Sequence, residues 1–337
     1  MRVCVFGAGA IGAYVGVQLS SHGADVTLVG RPWLQALEAD LSVRTIGGAV
    51  HARGRRLTVV TDPGQMPPAD LVLVTVKSQH TVQAAEALVE ALVDCPVVSL
   101  QNGLRNAAVL RDAGLDARAG MVSFNVFREG ACFIQATSGP ISIEDTGLRS
   151  QPVGVLAEVL GRCGEQVKLE PDLLGTQAGK LLLNLNNGIC ALTGLSIADS
   201  VRSRDARRSF AACIEEGVRV LDAAGIKPAT VGRLPPWLLI KMLPAPDWIV
   251  LRAAPGLIQI DPRARSSTLQ DLEAGKPTEI DALNGEFVEL GARHGVPTPV
   301  NSYVVDTIRR LESSGLPVPH LTPQQVWADM QKATPAR

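Results

Sequence analysis

Two groups of residues in this 337-residue chain have the types and the spacing to do chemistry. The first is Gly7-Ala8-Gly9-Ala10-Ile11-Gly12, a G-x-G-x-x-G run between a short apolar segment and a helical pattern. In such a run the first glycine, Gly7, permits a tight turn. Gly9 lets the backbone approach a pyrophosphate, and Gly12 lets a helix pack closely on a strand. The pyrophosphate then meets the free N–H groups of a helix N-terminus. A glycine-rich turn that holds no ligand reads the same in isolation; the setting in a β-α-β unit argues for the dinucleotide. The second group is Lys180, Asn184 and Asn187, at i, i+4 and i+7. On a helix these fall within about 40° of one another, among Leu181, Leu182, Leu183 and Leu185. A lysine in apolar surroundings is costly unless it has a partner or a task. Burial lowers its pKa toward the range useful for proton donation. A solvated helix face gives the same pattern, and spacing does not choose between the two.

The end of the second strand bears on the cofactor. An NAD-preferring site has Asp or Glu about 20 residues beyond the glycines, accepting from the ribose 2′-hydroxyl. Here Asp25 precedes the strand, which ends Val29-Gly30-Arg31. Arginine cannot accept that hydrogen bond but pairs with a 2′-phosphate, so the expected cofactor is NADP(H). Lys77, at the tip of the Leu71–Val76 segment, is a candidate second phosphate partner. For both residues the plainer reading is a surface cation. Trp33 either stacks near the adenine or is a packed surface aromatic.

The elements that must hold these residues follow from periodicity. Arg2–Phe6, Val26–Val29, Leu71–Val76, Val97–Leu100 and Met121–Phe127 read as strands, with helices over Ala10–His22 and Thr81–Val93. Strands apolar on both faces and separated by helices belong to a parallel sheet covered on both sides. Val43–Val60 and Phe133–Glu144 read as hairpins around Gly47-Gly48 and Gly139-Pro140. Beyond Pro171 the pattern is helical. A leucine-rich stretch runs from Leu173 to Leu192, and Ser209–Ala224 carries Phe210, Cys213, Ile214, Gly217, Val218 and Leu221 on one face. The expected fold class is α/β: an N-terminal Rossmann-type doubly wound sheet with a C-terminal all-helical domain. Residues 1–170 would bind NADP, and residues 171–337 would form the helical substrate and catalytic domain.

Composition supports this frame. At about 150 residues per domain the length suggests two domains. With 46% hydrophobic and 19% charged residues, disorder is excluded for the whole chain. A formal charge of −1 gives no reason to expect a nucleic-acid or polybasic membrane partner. No membrane span is expected: the closest candidate, Leu234 to Ile260, holds five prolines with Lys241, Asp247 and Arg252. The six cysteines form no C-x-x-C, so no metal site is expected and reduced thiols in a cytoplasm are.

Thr278-Glu279-Ile280-Asp281 with Asn284-Gly285, followed by Ala292-Arg293-His294-Gly295-Val296-Pro297-Thr298-Pro299, resembles the C-terminal signature of the ketopantoate reductase (2-dehydropantoate 2-reductase) family. The resemblance extends to the glycine loop, Val76-Lys77, Gln101-Asn102-Gly103 and Gly179-Lys180-Leu181. It implies NADPH-dependent reduction of a small-molecule 2-oxo acid to a 2-hydroxy acid, with ketopantoate the first candidate. On the same ground Lys180 is the general acid and Glu279 binds the substrate hydroxyl. Asn102 and Asn184 line the substrate and nicotinamide site, Ser267 contacts the substrate carboxylate, and Arg31 and Lys77 recognise the 2′-phosphate. The residues alone leave Glu279 open to a helix N-terminal role with Thr278 as cap, and Ser267 open to capping before Leu269.

Two departures stand out. Gly188 occupies the position of a further family asparagine, for which Asn187 substitutes only partly. Residues 228–263, with Trp237 and Trp248, align poorly. These departures suit a bulkier 2-oxo acid; the tryptophans equally suit a homodimer interface through the helical domain. A non-catalytic NADP(H)-sensing regulator is the reading from another class, and it has no use for Lys180 and Glu279 together.

Overall fold

The computed structural model describes residues 1–145, 152–230, 234–250 and 265–334. The chain divides into two compact units, Met1–Leu173 and Leu174–Arg337.

The first unit is built on β1 (Arg2–Phe6), which nucleates an eight-stranded sheet. Around it lie α1 (Ala10–Ser21), β2 (Asp25–Val29), α2 (Pro32–Gln35), β3 (Ser42–Arg44), β4 (Val50–Ala52), β5 (Leu57–Val60), β6 (Leu71–Val74) and α3 (Thr81–Glu90). The chain continues through β7 (Val97–Ser99), α4 (Asn106–Asp112), β8 (Ala117–Val122), β9 (Val126–Glu129), β10 (Cys132–Gln135), β11 (Ile141–Glu144), α5 (Pro152–Arg162) and β12 (Val167–Glu170). The sheet order is β12-β11-β8-β7-β6-β1-β2-β5, parallel from β5 to β8, with β11 antiparallel to β8. Along β1, Val3 and Val5 join an apolar cluster with α1, while Cys4 and Phe6 join another with Ala84, Leu88 and Leu110. Both faces of this strand are buried, hence its unbroken apolar run.

Three sequence expectations need correction here. The turn at Gly47-Gly48 does close a hairpin, but only between β3 and β4; Leu57–Val60 leaves it and pairs parallel with β2. Phe133–Glu144 is not a hairpin, because β10 pairs with β3 and β9 while β11 pairs with β8 and β12. The single strand expected over Met121–Phe127 is two, β8 and β9, in different sheets. The second sheet, ordered β4-β3-β10-β9, is the common reason. Alternating residues show that a segment is extended but not which neighbour it pairs with.

The second unit is helical throughout its described residues. It comprises α6 (Leu173–Asn184), α7 (Asn186–Thr193), α8 (Ile197–Arg202), α9 (Arg204–Ala223), α10 (Pro236–Met242), α11 (Ser267–Glu273), α12 (Asn284–His294), α13 (Pro299–Ser313) and α14 (Pro323–Ala333). Helix α9 is the hub. Phe210, Cys213, Ile214, Gly217, Val220 and Leu221 are buried along it, against α10, α12, α13 and α14. No helix among the described residues is long and apolar enough to cross a membrane.

Candidate active site

The glycine loop is held where β1, β2 and β6 end together. The Gly7 and Ala8 amides donate to Val29 O at 3.0 and 2.8 Å, and Thr75 Oγ1 donates to Gly7 O at 2.8 Å. Gly7 has φ +90°, and a Cβ there would lie 2.7 Å from Val76 N, so only glycine suits the turn. At Gly12 a Cβ would lie 2.3 Å from Thr75 Oγ1 and 3.0 Å from Val5 Cγ1. Helix α1 therefore lies directly on the sheet. Gly9 is the N-cap of α1; no side chain caps this helix, and a Cβ at Gly9 would meet nothing nearer than Gly7 O at 3.9 Å. Open space over uncapped N–H groups fits a pyrophosphate, with Ala10 and Ile11 opening the helix. Arg31, exposed, follows β2 after Gly30. Lys77 follows β6 as the N-cap of a 3₁₀ turn, Ser78–His80.

Asn102 lies in the loop after β7, and a hydrogen-bond network joins that loop to the one after β6. Ser78 Oγ donates to Asn102 O at 2.8 Å, and Asn106 Nδ2 donates to the same carbonyl. Gln101 Nε2 donates to Val76 O at 3.0 Å and to Thr81 Oγ1 at 2.8 Å. Ser78, Thr81 and Asn106 went unnoticed in the sequence because ordinary polar residues at these spacings carry no signal. Their effect is to hold Lys77 and Asn102 on two mutually braced loops.

In the second unit, Lys180 and Asn184 lie on α6. The leucine-rich stretch is two helices rather than one, interrupted at Leu185, which itself stays in the right-handed helical region, so Asn187 belongs to α7. Three asparagines in the four residues 184–187 favour the break, since their side chains compete for hydrogen bonds; Asn186 Nδ2 donates to Ser200 Oγ at 3.0 Å. Lys180 is half-buried. Burial draws its ammonium down to about 8, while the Glu279 carboxylate acts in the opposite direction. Glu279 precedes the 3₁₀ turn Ile280–Ala282, where Thr278 Oγ1 accepts from Ile280 N at 3.2 Å.

The capping expected of Ser267 falls to its neighbour. Ser266 Oγ accepts from Leu269 N at 3.2 Å and donates to Asn187 O at 3.3 Å, tying the start of α11 to α7. The Ser267 side chain is left exposed.

Gly188 has a steric cause. A Cβ there would lie 2.6 Å from Val304 Cγ1 and 2.9 Å from Asn284 Oδ1. Asn284 is buried and donates to Asn301 Oδ1 at 3.0 Å. Asn301 in turn donates to Glu216 Oε2 at 2.9 Å, and Glu216 accepts the Val300 and Asn301 amides at the start of α13. Burial pushes the Glu216 carboxyl up from its usual range. Introducing the family residue as Gly188→Asn is expected to cost about 1–3 kcal/mol by overpacking, read as a lower midpoint in thermal unfolding. An unchanged midpoint would show that α7 and α13 can separate without cost.

Comparison with known proteins decides the family. Residues 3–147 match the family model described as ketopantoate reductase PanE/ApbA, and residues 172–312 match its C-terminal counterpart. The chain belongs to the ketopantoate reductase family. It is 30% identical over 330 residues to a 2-dehydropantoate 2-reductase of Halobacterium salinarum, covering 94% of this chain and 100% of that one. A relative of the same name from Archaeoglobus fulgidus is 28% identical, covering 93% and 98%. Among solved structures, a PanE/ApbA family ketopantoate reductase from Ralstonia eutropha JMP134 has a TM-score of 0.75 at 31% identity, covering 93% and 99%. A D-mandelate dehydrogenase in complex with NADH and anilino(oxo)acetate shares the fold at a TM-score of 0.75 and 20% identity, covering 93% and 99%.

As a member of this family the chain is a nicotinamide-dependent oxidoreductase, in keeping with the α/β architecture and the glycine cradle. The segment 228–263, which was expected to depart from the family, falls within the match over residues 172–312 and lies partly outside the described residues, at 231–233 and 251–263. Within its described part, Trp237 and Trp248 are 60% and 73% exposed.

Proposed function

We propose that this chain reduces ketopantoate to pantoate with NADPH. The observation that carries the reading is the Lys180 ammonium, drawn to about 8 by burial and opposed by Glu279. A bound reduced nicotinamide supplies the hydride. Gly7 to Gly12 would hold the pyrophosphate, and Arg31 and Lys77 the 2′-phosphate. Lys180 Nζ stabilises the charge that builds on the carbonyl oxygen and then gives that oxygen its proton. Glu279 binds the substrate hydroxyl and keeps the lysine protonated near neutral pH. Asn102, Asn184 and Asn187 orient the substrate without adding charge, and Ser267 receives its carboxylate.

The direct test is a panel of 2-oxo acids assayed with NADPH and NADH. Ketopantoate with NADPH is expected to give the highest kcat/KM. Turnover only of larger 2-oxo acids would replace the substrate assignment with the reading that the exposed Trp237 and Trp248 favour. Cofactor binding without turnover of any acid would favour a sensing protein instead.

The lysine also sets a pH dependence. Lys180 carries its proton below about 8 and loses it above. In the reductive direction kcat/KM is expected to hold below that pH and fall about tenfold per unit above it. Glu279→Gln removes the influence that raises the lysine, so the falling limb should move to lower pH. A limb near 10.5, the ordinary lysine value, would overturn the lowering by burial, and a limb that Glu279→Gln leaves in place would remove the influence of Glu279 on the acid.

A further inference from the structure

Arg31 is not the only cation at the end of β2. Trp33, two residues on in α2, is 37% exposed, and the Arg128 guanidinium lies over its ring with Cζ 4.3 Å from the centroid. Arg128 comes from β9, the edge strand of the second sheet. It is paired with Phe133 on β10, so both side chains leave the same face. Phe133 is buried in the cluster that holds Tyr14 of α1 and Leu34 of α2. Arg128 thus leaves the second sheet on the same face as Phe133 and ends over the indole of Trp33. Neither Arg31 nor Arg128 forms an ion pair with a described carboxylate. A guanidinium held over an indole two residues from Arg31, with no described carboxylate paired to either cation, is a good arrangement for an anion.

We propose that Arg128, held over the Trp33 ring, is a second arginine for the cofactor's 2′-phosphate, which makes it a determinant of NADPH over NADH. The inference rests on the NADPH reading above. A phosphate monoester at neutral pH carries more than one negative charge and three acceptor oxygens, so a second guanidinium adds contacts that Arg31 and Lys77 alone do not supply. The indole holds the guanidinium by a cation–π contact, and guanidinium N–H groups can make a two-point contact with phosphate oxygens. Trp33 is then a positioning residue: it acts through Arg128.

Titration calorimetry with adenosine 2′,5′-bisphosphate and with 5′-AMP isolates the 2′-phosphate without any turnover. The parent is expected to bind the bisphosphate more tightly. Arg128→Gln should reduce that preference about tenfold while changing 5′-AMP less than twofold. Arg128→Lys should keep part of the preference, and Trp33→Leu should lose most of what Arg128→Gln loses. A preference within twofold of the parent in Arg128→Gln, or an equal loss for both ligands, would overturn the role of Arg128. Arg31→Gln separates the two levels of the argument. If it collapses the preference while Arg128→Gln does not, only this inference fails. If the parent shows no preference at all, the NADPH reading fails with it. Circular dichroism of each variant checks that the fold is kept.

Discussion

Lys180→Ala is expected to lower kcat/KM for 2-oxo acid reduction by about 10³-fold, within the range that a positioned general acid contributes. The effect should fall on kcat as well as on kcat/KM, because charge on the carbonyl oxygen develops in the transition state rather than in the bound substrate. Cofactor affinity should stay within twofold, since the glycine cradle and Arg31 belong to residues 1–173 and Lys180 does not. Lys180→Arg is the informative companion. It retains a positive charge but holds its proton too tightly to release it at neutral pH, so most of the loss should remain and the fall in rate near pH 8 should vanish. Single-turnover measurements with saturating cofactor check both. Activity within tenfold of the parent in Lys180→Ala would remove the lysine from the chemistry.

Arg31→Asp should weaken NADPH by about 10²-fold while leaving NADH within a fewfold. A charge-assisted hydrogen bond contributes about 1.5–3 kcal/mol, and reversing the charge adds repulsion of the 2′-phosphate. The new carboxylate stands where an NAD-preferring site keeps one, able to accept from a free 2′-hydroxyl. Such a change shifts preference and does not merely abolish binding. Dissociation constants for both cofactors, measured by calorimetry at two salt concentrations, test it; the NADPH loss should shrink at high salt. Equal losses for NADPH and NADH would place the 2′-phosphate elsewhere.

Much of this site was legible before any coordinates. The glycine loop could be read because its requirements are short-range: a positive φ at Gly7 and no side chain at Gly12, both within six residues. Strand β1 and helix α9 were equally plain, since burial on two faces or on one stripe leaves a periodic mark in the residues themselves. Lys180 was singled out by its place among leucines, but it was joined to Glu279 only through a resemblance, because nothing in their spacing of 99 positions would link them.

Other features had no local mark. Val97–Ser99 and Leu57–Val60 look alike as apolar strands, yet one lies in the interior of the sheet and the other at its edge. Glu216 looks like a solvent-facing residue of α9 until α13, 84 residues away, turns its first amides onto it. Gly188 looked like a lost asparagine and proves to be a point of contact with Val304 and Asn284. Arg128 carries no signal in the sequence, and only the fold sets it over Trp33.

Residue order thus indicated the residue types available and the short segments that carry them: a glycine loop suited to a dinucleotide, an arginine suited to phosphate, and a lysine among leucines. The assembled fold decided which strands pair, that burial lowers the lysine's proton affinity, and what Gly188 and Glu216 meet. The reason is one of range. Backbone conformation and amphipathic period are properties of neighbours along the chain, whereas burial, desolvation and the partner of a buried charge depend on segments that meet only after folding.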